Sequence, residues 1–396
     1  MEHPEAATSE SRAESALDGI RVLDLTGPIG QYGGKLLADL GADVVKVEPP
    51  NGDPARFLAP FAGDQPDPER SLFFLNFNAN KRGVVLDLGD PKGQAAFLEL
   101  ARTADVLLES FPSGTLERLG LGYDDLRDVN PGLVFTSITP FGRAGPHRDF
   151  KGNDLIGVAT GGMLYINGEP HRPPVASPLD QAYQMAGLHA AFGTLLALVE
   201  RRHSGLGQSV DVSMQDVQAH MFFNVVNYAA NNDIALRLGE RGAIVPNSIY
   251  PAKDGYVSLS IFQPRHWPLL AAWMADPVLA DPGWEERELR RENGDLIDAR
   301  IAGFTRGFTV AEFVAEGQRR HIPVGPVHTT ADFAASPHVA ERGVFMELEH
   351  PVLGRYRYPG PSFRMSATPP RIRRPAPMLG EQTAEVLADL TPRPPS

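Results

Sequence analysis

Cysteine is absent from this sequence of 396 residues, which excludes disulfides and thiolate metal sites and is typical of a cytoplasmic protein. No apolar run approaches the length of about eighteen residues that spans a bilayer, so we expect no membrane partner. Basic residues are outnumbered, 37 Lys and Arg against 49 Asp and Glu, for a formal charge of -12. Nucleic-acid binding depends on neutralising phosphates with cations, so a nucleic-acid partner is not expected.

Several functional motifs are also missing. The eleven histidines show no HExxH or paired spacing, and no G-x-S-x-G elbow is present, which argues against metal and serine-hydrolase sites. The glycine-rich turn TGPIGQYGG does not match the G-x-G-x-x-G fingerprint of dinucleotide sites. We therefore predict no metal and no tightly bound cofactor.

The first half of the chain alternates strand-like and helix-like segments. GIRVLDL, the glycine-rich turn, KLLADLGA and DVVKVE read as strand, loop, helix and strand, and similar units follow. This order is typical of βαβ units, so the fold class is predicted as α/β with a parallel, doubly wound sheet.

The residue composition and pattern along the chain predict its domains. Residues 1–17 carry acidic residues without an apolar core and are expected to form a disordered tail. Residues 18–225 are predicted to form the first part of a large Rossmann-like domain, and 235–325 a smaller α+β domain. Residues 330–396 are strand-like and then proline-rich, and we expect them to return to the large domain.

A long helix is predicted after Pro174. Ser177 followed by Pro178 and Asp180 matches a capping box, with Ser177 as N-cap and Asp180 at the third helical position. In that interpretation Asp180 caps the helix and performs no chemistry.

Segments along nearly the whole chain, from about residue 19 to 390, resemble the family III CoA-transferases, or CaiB/BaiF type. That family includes carnitine CoA-transferases, formyl-CoA transferases and alpha-methylacyl-CoA racemases. The matching segments are LLADLGADVVKVEPPNGDPAR, NANKRGVVLDL, ADVLLESFPSGTLERLGLGYDDL, NPGLVFTSITPFGRAGP, GLGQSVDVSMQD, IPVGPVHTTADFAASPHV and RRPAPMLGEQTAEVL.

The resemblance implies a large Rossmann-like domain built from both chain ends, a smaller middle domain and a homodimer of two interlocked rings. It also implies acyl-CoA and a carboxylic acid as substrates. The cofactor-binding residues it carries over to coenzyme A are Lys81, Arg82, Ser110, Phe111, Gly114, Arg118 and Lys151. The loop ESFPSG departs from the usual ENFRPG, so it lacks one basic residue.

The catalytic residues implied by the resemblance are Asp180, Asp154 and Tyr183. Family transferases use one Asp at the start of the long helix, which forms an acyl anhydride, but a gapless alignment places Tyr183 at that position. Asp180 lies three residues earlier, on the same helix face, and is either the nucleophile or a cap. Racemisation of the family type is not expected, because Asn153 stands where racemases place their basic histidine.

Three functions therefore stay open at the level of sequence. The first is CoA transfer from an acyl-CoA to a carboxylic acid. The second is a CoA-binding but transferase-inactive partner of a paralogous subunit, and the third is isomerase or lyase chemistry on the same scaffold.

Overall fold

The computed structural model describes residues 15–169, 171–221, 224–231 and 244–389. Most of the predicted N-terminal tail lies outside these residues. The chain divides into two compact units. The larger unit takes Met1–Asn167, Pro174–Ile234 and Gly343–Ser396, and the smaller unit takes Gly168–Pro173 and Ala235–Arg342.

A six-stranded sheet forms the centre of the larger unit. Its strands are β1 Arg21–Leu25, β2 Asp43–Glu48, β3 Arg82–Val85, β4 Val106–Glu109, β5 Val134–Thr139 and β6 Ser209–Ser213. Their order is β3-β2-β1-β4-β5-β6, and every neighbouring pair is parallel, so the predicted parallel sheet is confirmed. The strand order reverses between β1 and β4, and in open parallel sheets ligands bind outside the carboxyl ends of the strands at such a point.

The helices follow in chain order. They are α1 Gln31–Asp39, α2 Leu72–Asn78, α3 Pro91–Arg102, α4 Thr115–Arg118, α5 Tyr123–Val129, α6 Asp154–Thr160, α7 Gln181–Ser204, α8 Met214–His220, α9 Asn224–Asn231, α10 His266–Met274, α11 Arg287–Glu292, α12 Gly294–Thr305, α13 Val310–Arg319, α14 Thr330–Ala335, α15 Pro337–Glu341 and α16 Thr383–Ala388.

Both faces of the sheet are covered, which explains why its strands are apolar on both sides. Leu23 of β1 packs in one core cluster with Phe97 of α3 and Leu126 of α5. Val22, its neighbour, faces the other way and packs with Leu37 of α1 and Leu198 of α7. Helices α1 and α7 therefore lie on one face, and α3 and α5 on the other.

The 24-residue helix α7 packs closely on α1. A Cβ atom on Gly33 would lie 2.8 Å from the carbonyl oxygen of Gly187, so the two helices approach at a pair of glycines. By length and composition α7 could cross a membrane. Its inward face, which includes Ala186 and Ala190, is buried in the core of the larger unit, as in the core helix of a globular protein.

The opposite face of α7 is apolar and exposed. Leu188, Phe192, Leu196 and Val199 follow one another at helical spacing, and Phe192 is 60% exposed. We call these four side chains the outer stripe of α7.

The smaller unit is built on a three-stranded antiparallel sheet. Its strands are β7 Asn247–Pro251, β8 Tyr256–Ser260 and β9 Val324–Pro326, in the order β7-β8-β9. Its core centres on Trp267 of α10, Ile301 of α12 and Phe313 of α13. A hairpin of β10 Phe345–His350 and β11 Gly354–Pro359 belongs to the larger unit.

Candidate active site

Two loops meet at the carboxyl ends of β1 and β4. The backbone N–H of Gly27, after β1, donates to the hydroxyl oxygen of Ser110 at 2.8 Å. The N–H of Phe111 donates to a carboxylate oxygen of Glu109, the last residue of β4, at 2.7 Å. The loop of residues 110–114, which carries three predicted CoA contacts, is thereby fixed at the point where the strand order reverses.

This loop ends in a short helix with an exposed cation. Gly114 has φ +80°, a left-handed conformation that favours glycine, and α4 begins directly after it. The guanidinium of Arg118 is exposed and donates to the hydroxyl of Thr115 at 3.1 Å. Lys151 is also exposed and forms no ion pair among the residues that the structure describes. Both predicted cations are thus accessible to an anionic ligand.

Lys81 is in a different situation. Its side chain has no exposed surface, and its ammonium donates to Asp24 at 2.7 Å and to the Gln31 carbonyl and the Asn78 amide oxygen, each at 2.9 Å. Burial lowers the pKa of Lys81 to about 8, although the carboxylate of Asp24 opposes that shift. All three donors of the ammonium are occupied inside the protein.

Arg82 is likewise paired within the larger unit. Its guanidinium bonds Asp43 at 2.7 Å and Glu385 at 3.1 Å. The structure therefore gives Lys81 and Arg82 internal partners, and it offers no support for a direct contact of either side chain with coenzyme A.

A buried polar network continues from Lys81 toward β2. Lys46 of β2 bonds the carbonyl oxygen of Thr26 and, at 2.8 Å, the carboxylate of Asp53. Arg56 bonds Glu48 through two nitrogens, at 2.6 and 2.8 Å. Sequence reasoning missed this network, although Lys46 and Glu48 are charged residues within a buried strand.

The start of α7 differs from the predicted capping box. The helix begins at Gln181, and Asp180 occupies the N-cap position without a side-chain hydrogen bond to the helix. Leu179 and Asp180 both have left-handed backbones, with φ +64° and +50°, which a helix starting at Pro178 would not allow. The prediction that Ser177 caps α7 and Asp180 sits at its third position is therefore wrong.

Asp154 supplies the missing cap from another helix. One oxygen of its carboxylate accepts hydrogen bonds from the N–H groups of Ala182, at 2.6 Å, and Tyr183, at 3.1 Å. Burial raises the pKa of Asp154, the two N–H donors lower it, and the nearby charge of Asp180 raises it further. The N–H groups at the start of α7 thus bind a carboxylate, because the N-terminus of a helix stabilises negative charge.

Tyr183 lies beside the same two carboxylates. Burial raises the pKa of its phenol, and the charges of Asp154 and Asp180 add to that effect. The phenol is therefore neutral at ordinary pH. The structure brings the three predicted catalytic residues together at the start of α7. Of the two carboxylates, that of Asp154 accepts hydrogen bonds from the helix and that of Asp180 does not.

Arg143, in the loop after β5, was not predicted. Its guanidinium bonds Glu109 at 3.0 Å and the hydroxyl of Ser137 at 2.9 Å, and it also pairs with Glu117 of α4. The motif FGRAGP contains this residue but gives no local signal of partners so distant in sequence.

A cleft of about 370 Å³ lies beside the first turn of α7. Its lining includes Tyr32 and Lys35 of α1, Phe77 of α2, and Gln181 and Gln184 of α7. Neither Asp154 nor Asp180 lines it.

Comparison with known proteins gives a consistent result. The model of CoA-transferase family III matches residues 17–383. The succinyl-CoA:(R)-benzylsuccinate CoA-transferase subunit BbsE of Thauera aromatica is 35% identical, over 93% of each chain. The succinyl-CoA–D-citramalate CoA-transferase of Chloroflexus aurantiacus is 34% identical, over 96% of each chain.

A solved structure is similar over the same length. It is that of a CaiB/BaiF family protein from Brucella suis, which is 28% identical, with a TM-score of 0.86 over 96% of this chain and 100% of the other. The family predicted from the quoted segments is confirmed: this chain belongs to CoA-transferase family III.

Proposed function

We propose that this protein transfers CoA from an acyl-CoA to a carboxylic acid, with Asp180 as the nucleophile. The observation that carries the proposal is the carboxylate of Asp180 at the start of α7, which has no hydrogen-bond partner among the described residues and interacts electrostatically with the capping carboxylate of Asp154. The carboxylate of Asp154, in contrast, is held in place by the two N–H groups of α7 whose hydrogen bonds it accepts, and an attack on carbon would take it away from them.

The chemistry follows in balanced steps. The Asp180 carboxylate attacks the thioester carbonyl, a C–O bond forms, the C–S bond breaks, and the CoA thiolate leaves an acyl anhydride. The thiolate then attacks the aspartyl carbonyl of that anhydride, which releases the donor acid as a carboxylate and leaves an aspartyl-CoA thioester. The acceptor carboxylate and the thiolate repeat the two steps in reverse order, giving the new acyl-CoA and free Asp180. No net proton transfer is required.

Asp154 has a supporting role in this mechanism. Its carboxylate fixes the first turn of α7 and leaves Asp180 at a defined position.

The phosphorylated handle of coenzyme A requires a local basic site on an acidic protein. Arg118, the last residue of α4, and Lys151, between β5 and α6, are exposed cations in segments that follow the carboxyl ends of β4 and β5, and the loop of residues 110–114 directly precedes α4. We infer that these groups bind the diphosphate and ribose phosphate. We also infer that a second copy of the chain packs on the outer stripe of α7, because its four apolar side chains are exposed.

The test is a coupled assay with succinyl-CoA, the donor in the names of the two relatives, and a series of dicarboxylic acids as acceptors. Wild type should form the new acyl-CoA only when an acceptor is present. Asp180→Ala and Asp180→Asn should both lose turnover by several orders of magnitude, because an amide is not a nucleophile. Ser177→Ala, a matched change nearby, should retain activity.

Full activity of Asp180→Asn would contradict the assignment of the nucleophile. Conversion of the acyl-CoA without any acceptor would instead favour isomerase or lyase chemistry.

A second candidate function is a CoA-binding partner of a paralogous catalytic subunit. Tyr183 stands where the resemblance places the nucleophilic Asp, and the relative from Thauera aromatica is named as a subunit. This candidate predicts that the purified chain binds CoA, shows no turnover with any donor alone, and gains activity when a paralogue is added.

A further inference from the structure

We propose that Arg143 is a positioning residue that fixes the loop of residues 110–114 in the conformation that binds coenzyme A. The inference rests on the proposed function, because it assigns that loop to the CoA site. It concerns a residue outside the loop that acts through two carboxylates.

Arg143 holds the loop at both ends. Before the loop, its guanidinium bonds one carboxylate oxygen of Glu109 at 3.0 Å. After the loop, it pairs with the carboxylate of Glu117 in α4. A planar guanidinium spreads its N–H donors over several nitrogens and can bridge two carboxylates in this way, whereas the donors of an ammonium all lie on one nitrogen.

The contact with Glu109 is transmitted to the loop backbone. The side chain of Glu109 is 2% exposed, and its second carboxylate oxygen accepts the N–H of Phe111 at 2.7 Å. Burial raises the pKa of Glu109, and Ser137, Phe111 and Arg143 oppose that shift. Without the guanidinium, Glu109 would be an unpaired buried carboxylate, which must take up a proton or move toward water. Either change weakens the bond to Phe111.

Arg143 is not expected to contact a phosphate itself. Its guanidinium already bonds two carboxylates and the hydroxyl of Ser137. Its effect on coenzyme A therefore passes through the positions of Glu109 and Glu117.

The backbone of the loop after β5 does not depend on this side chain. The loop after β5 is held independently by its backbone, since the N–H of Arg143 donates to Asp211 at 2.9 Å and the N–H of Gln215 donates to the Pro140 carbonyl at 3.1 Å. The Arg143 side chain is 23% exposed, so its removal opens no sealed cavity. A variant should retain the structure and lose the order of the loop.

The experiment measures CoA affinity by calorimetry, steady-state kinetics and the melting temperature for wild type and four variants. Arg143→Met should raise the Kd for CoA and the KM for acyl-CoA by about tenfold, which corresponds to about 1.4 kcal/mol, with a smaller change in kcat. Arg143→Lys should recover part of this loss. Arg148→Met is the matched control, because Arg148 is exposed and pairs with its neighbour Asp149; it should behave like wild type.

Glu117→Gln keeps the test decisive if Arg143→Met folds poorly. Glu117 is on the surface of α4, so this variant should have the melting temperature of wild type. Its Kd for CoA should nevertheless be a few-fold higher than that of wild type. Unchanged CoA affinity in Glu117→Gln and Arg143→Met would overturn the inference and leave the proposed function intact. Absence of CoA binding by wild type would overturn the proposed function, and the inference with it.

Discussion

Replacement of Lys81 by Met tests whether this residue supports the fold or binds coenzyme A. The Lys81 ammonium and the Asp24 carboxylate are both fully buried and lie 2.7 Å apart. Burial alone would raise the pKa of Asp24, but the charges of Lys81 and Lys46 hold that pKa below its ordinary value. Lys81→Met removes the nearest of these cations and leaves Asp24 charged in the core.

The expected cost follows from that geometry. Removing one partner of a buried ion pair destabilises a protein by about 3–5 kcal/mol, because the other charge is left uncompensated. For a unit of this size, that corresponds to a fall in melting temperature of roughly 6–20 °C. Differential scanning calorimetry of the full chain measures it, and calorimetric titration with CoA at a temperature where the variant is folded measures the affinity.

Lys151→Met is the matched comparison. Lys151 is exposed and unpaired among the described residues, so its loss should change stability by less than about 0.5 kcal/mol and weaken CoA binding. If Lys81→Met instead melted within about 2 °C of wild type and lost CoA affinity as Lys151→Met does, Lys81 would be a ligand-binding residue and the reasoning would be refuted.

Three further predictions concern α7 and its surroundings. Gly187→Ala would place a Cβ 2.9 Å from the Gly33 nitrogen and should cost about 1–3 kcal/mol in thermal melts, whereas Gly303→Ala, with nothing within 4 Å, should be neutral or stabilising. Asp154→Asn keeps an oxygen acceptor for the two N–H groups of α7. Burial raises the pKa of Asp154 in the folded protein. The wild-type protein therefore loses folding stability as the pH rises above the pKa of this group in the unfolded chain, about 3.9. The melting temperature of the variant minus that of wild type should therefore increase between about pH 4 and pH 7, and a constant difference would contradict the shift. Phe192→Asp should shift the mass measured by light scattering from dimer to monomer if the outer stripe of α7 is a subunit interface, and an unchanged mass would exclude that role.

The parallel sheet was predictable because its signals are local. Apolar strands such as β1 and β4 are separated by helices and glycine-rich turns, and each unit can be recognised within about thirty residues. The body of α7 was predictable for the same reason, since its apolar residues repeat at helical spacing and Gly205 ends it.

The start of α7 was not predictable from the same signals. Ser177 and Asp180 have the spacing of a capping box, but the left-handed backbone at Leu179 and Asp180 delays the helix to Gln181. The actual cap, Asp154, is 28 residues away from Ala182 in sequence. No local pattern distinguishes a cap supplied from a distant helix.

The sequence also did not reveal which charged side chains are buried and paired inside the protein. Lys81 follows the family's pattern for a basic residue, yet its partner Asp24 lies 57 residues earlier in the chain. Arg143 and Glu109 are separated by 34 residues. Whether a cation faces solvent or an internal carboxylate depends on how strands pair, which single residues do not reveal.

Trapping of the enzyme-bound acyl group at Asp180 tests the central claim most directly. The full chain is incubated with succinyl-CoA, treated with hydroxylamine and digested, and the peptides around Asp154 and Asp180 are analysed by mass spectrometry. We expect an aspartyl hydroxamate at Asp180 in wild type and none in Asp180→Asn. A protein that turns over with neither peptide modified, or with the hydroxamate at Asp154, would contradict the account.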